Sequence, residues 1–151
     1  MSTQVNSVEE LTALIGTHLG YSDYRTVTQE QVNLFADATG DHQWIHVDPE
    51  RAAAGPFGHT IAHGYLTLSL IPVLIGGLLK VEGVTMGVNY GSNKVRFTSP
   101  VPVGSDVRAG ATLASVDEVA GGVQLAMDVT VEIKGSEKPA CVAQVLSRLY
   151  R

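Results

Sequence analysis

The chain has 151 residues, 44% hydrophobic and 17% charged, with a formal net charge of −5. That suits one domain spanning residues 1–151 with a real apolar core, and it excludes disordered and collagen-like compositions. Mild acidity without any basic stretch excludes the electrostatic footprint of a nucleic-acid binder, and the lone cysteine, Cys141, excludes an internal disulfide.

Met1-Ser2-Thr3-Gln4 lacks the basic start and apolar block of a signal peptide, so a cytoplasmic location is expected. Ser7 followed by Glu10 reads as a capping box that opens a short helix. Tyr24 to Val27 reads as a short strand. Thr28 and Gln31 form a second capping box, leading into Val32, Phe35, Ala36 and Thr39 on one helical face, and Gly40 ends that helix.

Ile61 to Leu79 is apolar enough to resemble a membrane span, but it carries His63, Tyr65, Pro72 and Gly76-Gly77 and has no basic flank. No membrane partner is expected. From His63 to Leu79 the apolar residues occupy nearly every side of the helical wheel, which predicts a helix surrounded by protein. The remaining chain reads as strands over Thr85–Asn89, Lys94–Phe97, Asp106–Val116, Val123–Ile133 and Ala140–Tyr150, with turns at Gly121-Gly122 and Gly135-Ser136. Val123, Leu125, Met127, Val129, Val131 and Ile133 alternate with mostly polar or small neighbours, as in antiparallel strands with one covered face. Cys141 falls in such a strand and reads as a buried small residue rather than a nucleophile. A curled antiparallel sheet around one apolar helix is an α+β hotdog arrangement.

Between the two main helices, Gly40 to Pro49 collects Asp41, His42, His46, Asp48 and the only tryptophan, Trp44. On an ideal helix Asp41 and His46 would sit about 140° apart and share no face. In a turned loop behind a helix-ending glycine both can point into one pocket, the setting in which catalytic groups tend to occur. Ala62-His63-Gly64 then opens the apolar helix. Its unpaired N–H groups and a glycine that admits close approach suit an oxygen on which charge develops. Acid, base and oxyanion donor are what addition of water next to a carbonyl requires.

Gly40-Asp41-x-Gln43-x-Ile45-His46-x-Asp48-Pro49, followed by Ala62-His63-Gly64, resembles the signature of the MaoC-like, R-specific (type 2) enoyl-CoA hydratases. Tyr90-Gly91 and the run from Val95 to Gly104 look like that family's downstream strand and turn. The resemblance implies a hotdog homodimer that hydrates a trans-2-enoyl-CoA to the (R)-3-hydroxyacyl-CoA, with no metal or cofactor and an acyl-CoA thioester as substrate. It makes Asp41 and His46 the catalytic pair, leaving open which takes the water's proton. Gly64 would polarise the thioester carbonyl through its N–H, with Gln43 and His63 as further substrate-binding residues. This chain departs from the family in having Gln43-Trp44 where Asn-Pro is common. Gln43 keeps the amide on a longer stem, and the Trp44 ring is expected to pack rather than to reshape the acyl pocket.

Other readings use the same residues. His42 with His46, and His59 with His63, have spacings that could serve a metal, helped by Asp41 and Asp48. Gly40, Pro49 and the lack of a protease-type glutamate count against that. The hotdog fold also carries 3-hydroxyacyl thioester dehydratases and acyl-CoA thioesterases, and a binding module with a decayed site is the non-enzymatic reading. Lys94, Arg96 and Arg108 could meet coenzyme A phosphates, although strand cations are more often solvated or paired.

Overall fold

The computed structural model describes residues 2–151. The N-terminal part runs as β1 (Thr3–Val5), a 3-10 helix (Val8–Leu14), β2 (His18–Tyr21) and β3 (Arg25–Thr26). Helices α1 (Gln29–Thr39), α2 (Trp44–Val47), α3 (Pro49–Ala53) and α4 (Gly64–Ile75) follow. The chain closes with β4 (Leu79–Val81), β5 (Met86–Arg96), β6 (Asp106–Val119), β7 (Gly122–Ile133) and β8 (Cys141–Tyr150). The large antiparallel sheet has the order β2-β6-β7-β8-β5, with β3 also on β6, while β1 and β4 form a separate parallel pair.

The sheet wraps α4 with its alternating face. Val123, Leu125, Val129 and Val131 of β7 are almost fully buried, whereas Asp128 between them is exposed. They join one core with Leu66, Ile71 and Leu74 of α4 and Leu113 of β6. Each such side chain contributes about 1.5–3 kcal/mol by leaving water. Cys141 is fully buried, and burial pushes its thiol up, so it behaves as a core residue. No helix is long and apolar enough to cross a membrane among the described residues.

Several expectations need correction. The Ser7 side chain caps nothing. Glu10 instead accepts from the Asn6 N–H at 2.8 Å, and the segment winds as a 3-10 helix. The Thr28 box forms with both of its bonds, and Gly40 ends α1 at φ 85°. The two strands expected over 85–97 are one, β5, with register shifts that leave Tyr90 and Asn93 without pairing partners. Gly121 makes the β6–β7 turn at φ 81°, but Gly122 already belongs to β7, where a Cβ would overlap the Leu149 carbonyl.

The apolar helix is shorter than expected and not wholly enclosed. Leu66, Thr67, Ile71 and Leu74 are buried, whereas Tyr65 and Val73 are exposed. A third side of α4 faces a cavity of about 670 Å³, walled by Leu68, Pro72 and Ile75, by Met127 of β7, and by Val145 and Leu149 of β8.

Candidate active site

The segment after α1 is held from three sides. Asp41 stands outside any helix, and its Oδ1 accepts from the Gln43 N–H at 3.4 Å, a side-chain turn that Asp favours. His46 does not lie in a loop, as expected, but on the one-turn helix α2, where its N–H bonds the Gln43 carbonyl at 3.0 Å. Asp48 then caps α3 by accepting from the Arg51 N–H, with Pro49 as the first helical residue.

Residues 60–62 run extended between α2 and the loop after β5. The Ile61 N–H bonds the Ile45 carbonyl at 3.0 Å, and the Ala62 N–H bonds the Val101 carbonyl at 2.8 Å. The Ile61 carbonyl accepts from His46 Nδ1 at 2.7 Å. Because that partner can only accept, Nδ1 carries the ring proton and Nε2 keeps a free lone pair. Sequence reasoning passed over Ile61, whose contribution is a backbone oxygen with no residue-type signal.

His63 is turned into the protein, 2% exposed, rather than toward an open pocket. Its Nε2 donates to the Asp41 backbone carbonyl at 2.9 Å. Its ring stacks on His46 with centroids 3.9 Å apart and planes 25° apart, and Phe35 of α1 packs against it at 4.8 Å. The geometry makes it a brace between the two members of the proposed pair. Its Nδ1 is buried with no hydrogen-bond partner among the described residues.

Gly64 is the first residue of α4, and its N–H bonds nothing among the described residues. A Cβ there would lie 2.8 Å from the Phe97 ring, so only glycine fits without movement. Gln43 is exposed, and its side-chain amide makes no hydrogen bond among the described residues; its backbone N–H is the group that serves Asp41. The Trp44 ring packs, but half-buried and outside the main core, against Gly55 and under the Arg51 guanidinium at 4.4 Å. Arg108 is paired with Glu132 at 2.8 Å, whereas Lys94 and Arg96 are exposed on β5.

The histidine pairs singled out for a metal do not converge. His42 turns to Asp37 of α1 at 2.9 Å, and His59 Nδ1 donates to the Thr60 carbonyl. Asp41, His46 and His63 instead bring one ligand-type side-chain atom each within 4.8 Å of the others. Imidazole lone pairs lie in the ring plane, so stacked rings carry them side by side, not toward the tetrahedral centre a zinc ion takes.

A MaoC-like domain profile matches residues 10–135. The chain belongs to the MaoC-like dehydratase family. This MaoC-like protein is 60% identical over 143 residues to the 3-hydroxyacyl-thioester dehydratase Z of Mycobacterium tuberculosis, covering 94% of this chain and 95% of that relative. An Archaeoglobus structure described as a monoamine oxidase regulatory protein matches at 25% identity with a TM-score of 0.78, over 100% of this chain and 98% of that one. An unliganded R-hydratase from Pseudomonas aeruginosa matches at 23% identity with a TM-score of 0.70, over 91% and 82% of the two chains. The sheet curled around α4 is the hotdog fold these neighbours share.

Proposed function

We propose that this MaoC-like protein interconverts a trans-2-enoyl thioester and water with the (R)-3-hydroxyacyl thioester, coenzyme A carrying the acyl chain. The observation that carries the reading is the meeting of Asp41 and His46 beside the start of α4, with His46 fixed as the Nδ1–H tautomer. Asp41 orients one water, and His46 Nε2 takes a proton from it. The water oxygen bonds Cβ while the double-bond electrons move toward the thioester oxygen, which the Gly64 N–H holds. The proton on His46 then returns to Cα, so the sum is one water added. Placed proton transfer is worth about 10²–10⁴ in rate, and one oxyanion donor about 10²–10³.

The acyl tail is assigned to the cavity along α4. Its wall begins at Leu68, one turn beyond Gly64, and reaches Gly76, about 12 Å further at 1.5 Å per residue. Two copies are expected to associate through β5, whose outer edge pairs with nothing among the described residues. The Mycobacterium tuberculosis relative is a 3-hydroxyacyl-thioester dehydratase by name, which favours the dehydration direction, the same step reversed.

Crotonyl-CoA loses its conjugated ultraviolet absorbance on hydration. Rapid loss with the wild type and near-silence in Asp41→Asn and His46→Gln is the expected result. Persistence in either variant moves the chemistry to other residues. No loss with the wild type on short or long enoyl chains ends the hydratase reading.

A further inference from the structure

His46 must keep its ring in place on a helix of a single turn, Trp44–Val47. Such a helix leaves its last carbonyls without donors of their own. The His46 carbonyl finds one in a residue whose side chain has had no part so far, inside the capping box that opens α1. Gln29, at the start of α1, donates from Nε2 to that carbonyl at 2.8 Å. The same nitrogen donates to Asn33 Oδ1 at 2.9 Å, and Gln29 Oε1 accepts from the Thr60 hydroxyl at 2.7 Å. Thr60 is 5% exposed and directly precedes Ile61, whose carbonyl holds the His46 ring. A single amide therefore ties the backbone behind the ring to the strand segment in front of it.

We infer that Gln29 is a positioning residue of this site, a clasp that sets His46 through its backbone while Thr60 holds the clasp. The inference rests on the proposed role of His46. The position needs a group that donates at one end and accepts at the other, which an amide does and a carboxylate does not. Gln29→Glu keeps the shape and the Thr60 bond, but it sets an acceptor against the His46 carbonyl. Thr60→Val removes the other half and leaves Oε1 without its donor, whereas Thr60→Ser keeps the hydroxyl. Misplacement of a catalytic group by about 1 Å costs about a hundredfold.

The test measures kcat, KM and thermal melting for the three variants on crotonyl-CoA, with His46→Gln alongside. The expected result is a fall of about tenfold to a hundredfold in kcat for Gln29→Glu and Thr60→Val. KM should stay within about threefold, as for loss of an interaction that matters in the transition state, and Thr60→Ser should retain the wild-type kcat. Should Gln29→Glu fail to fold, Thr60→Val against Thr60→Ser decides. Wild-type kcat in a folded Gln29→Glu, or in Thr60→Val, overturns the clasp while a silent His46→Gln leaves the dyad standing. An active His46→Gln removes both. Equal losses in Thr60→Ser and Thr60→Val also overturn it, since the hydroxyl would then not be the group that matters.

Discussion

Burial pushes the His46 imidazole below its ordinary value of 6.5, and the neighbouring His63 adds to the push, while the Ile61 hydrogen bond and the Asp41 carboxylate oppose it. A base must be unprotonated to act, so the acid limb of kcat/KM is expected below pH 6.5. Stability carries the same sign. Between the lowered value and 6.5 the unfolded chain binds more protons, so His46's contribution is complete above 6.5 and is lost as pH falls through the folded value. An acid limb above 6.5 in a pH–rate profile would contradict this. At Gly64, a methyl group meets the Phe97 ring, which is 43% exposed and packs edge-on against Tyr65, with solvent on its open side. Gly64→Ala should therefore melt close to the wild type yet lose about 10²-fold in kcat, through crowding of the oxyanion position; paired melting and rate measurements check it. Asp41, His46 and Gly64 could be singled out because their types and order carry a signature, and the nearness of Asp41 to His46 agrees with that order. The inward turn of His63 was not legible, since it depends on the backbone oxygen of Asp41, 22 positions away.

At the scale of elements, α4 shows what an all-round apolar helix can mean. Periodicity predicted enclosure by protein, but one side of α4 faces the cavity. Composition cannot tell a side that packs from a side that waits for a ligand, because both want apolar residues. Leu68→Phe puts extra bulk into the near end of that cavity. The kcat/KM for a twelve-carbon enoyl-CoA should drop at least about tenfold while crotonyl-CoA changes little, and competition between the two substrates measures it. Equal effects on both would take the tail elsewhere. The C-terminal end of α4 was read too far because Leu79–Val81 pairs in parallel with Thr3–Val5. That contact spans half the chain, and neither three-residue strand has a period of its own. The single turn at His46 was missed for a related reason: Trp44–Val47 is too short for helical spacing to show.

For the whole molecule, the order of the sheet leaves β5 at one end, with Met86, Val88 and Tyr90 exposed along it. An apolar edge of this kind is a template for another strand. Light scattering behind a sizing column should therefore give twice the chain mass of 16.0 kDa, and Met86→Asp should shift it toward the single mass with secondary structure intact. A wild type that runs as one chain would remove the dimer. The antiparallel sheet was legible in the alternation of β7, and most of its extent in the strand-like segments Asp106–Val116 and Ala140–Tyr150, although β6 runs on to Val119. The free edge was not, since strand order is a property of pairing and not of any one segment.

The irregularities at Tyr90 and Asn93 carry a consequence for how that edge meets other chains. Each extra residue bends the strand and breaks its ladder, leaving a short regular run from Met86 to Asn89 and a charged one from Lys94 to Arg96. A straight edge of eleven residues would be one long template for a strand of another chain. The broken one offers any incoming strand only short ladders, so a concentrated solution of this protein is expected to resist fibrous aggregation, which turbidity and fibril-dye binding on standing would check.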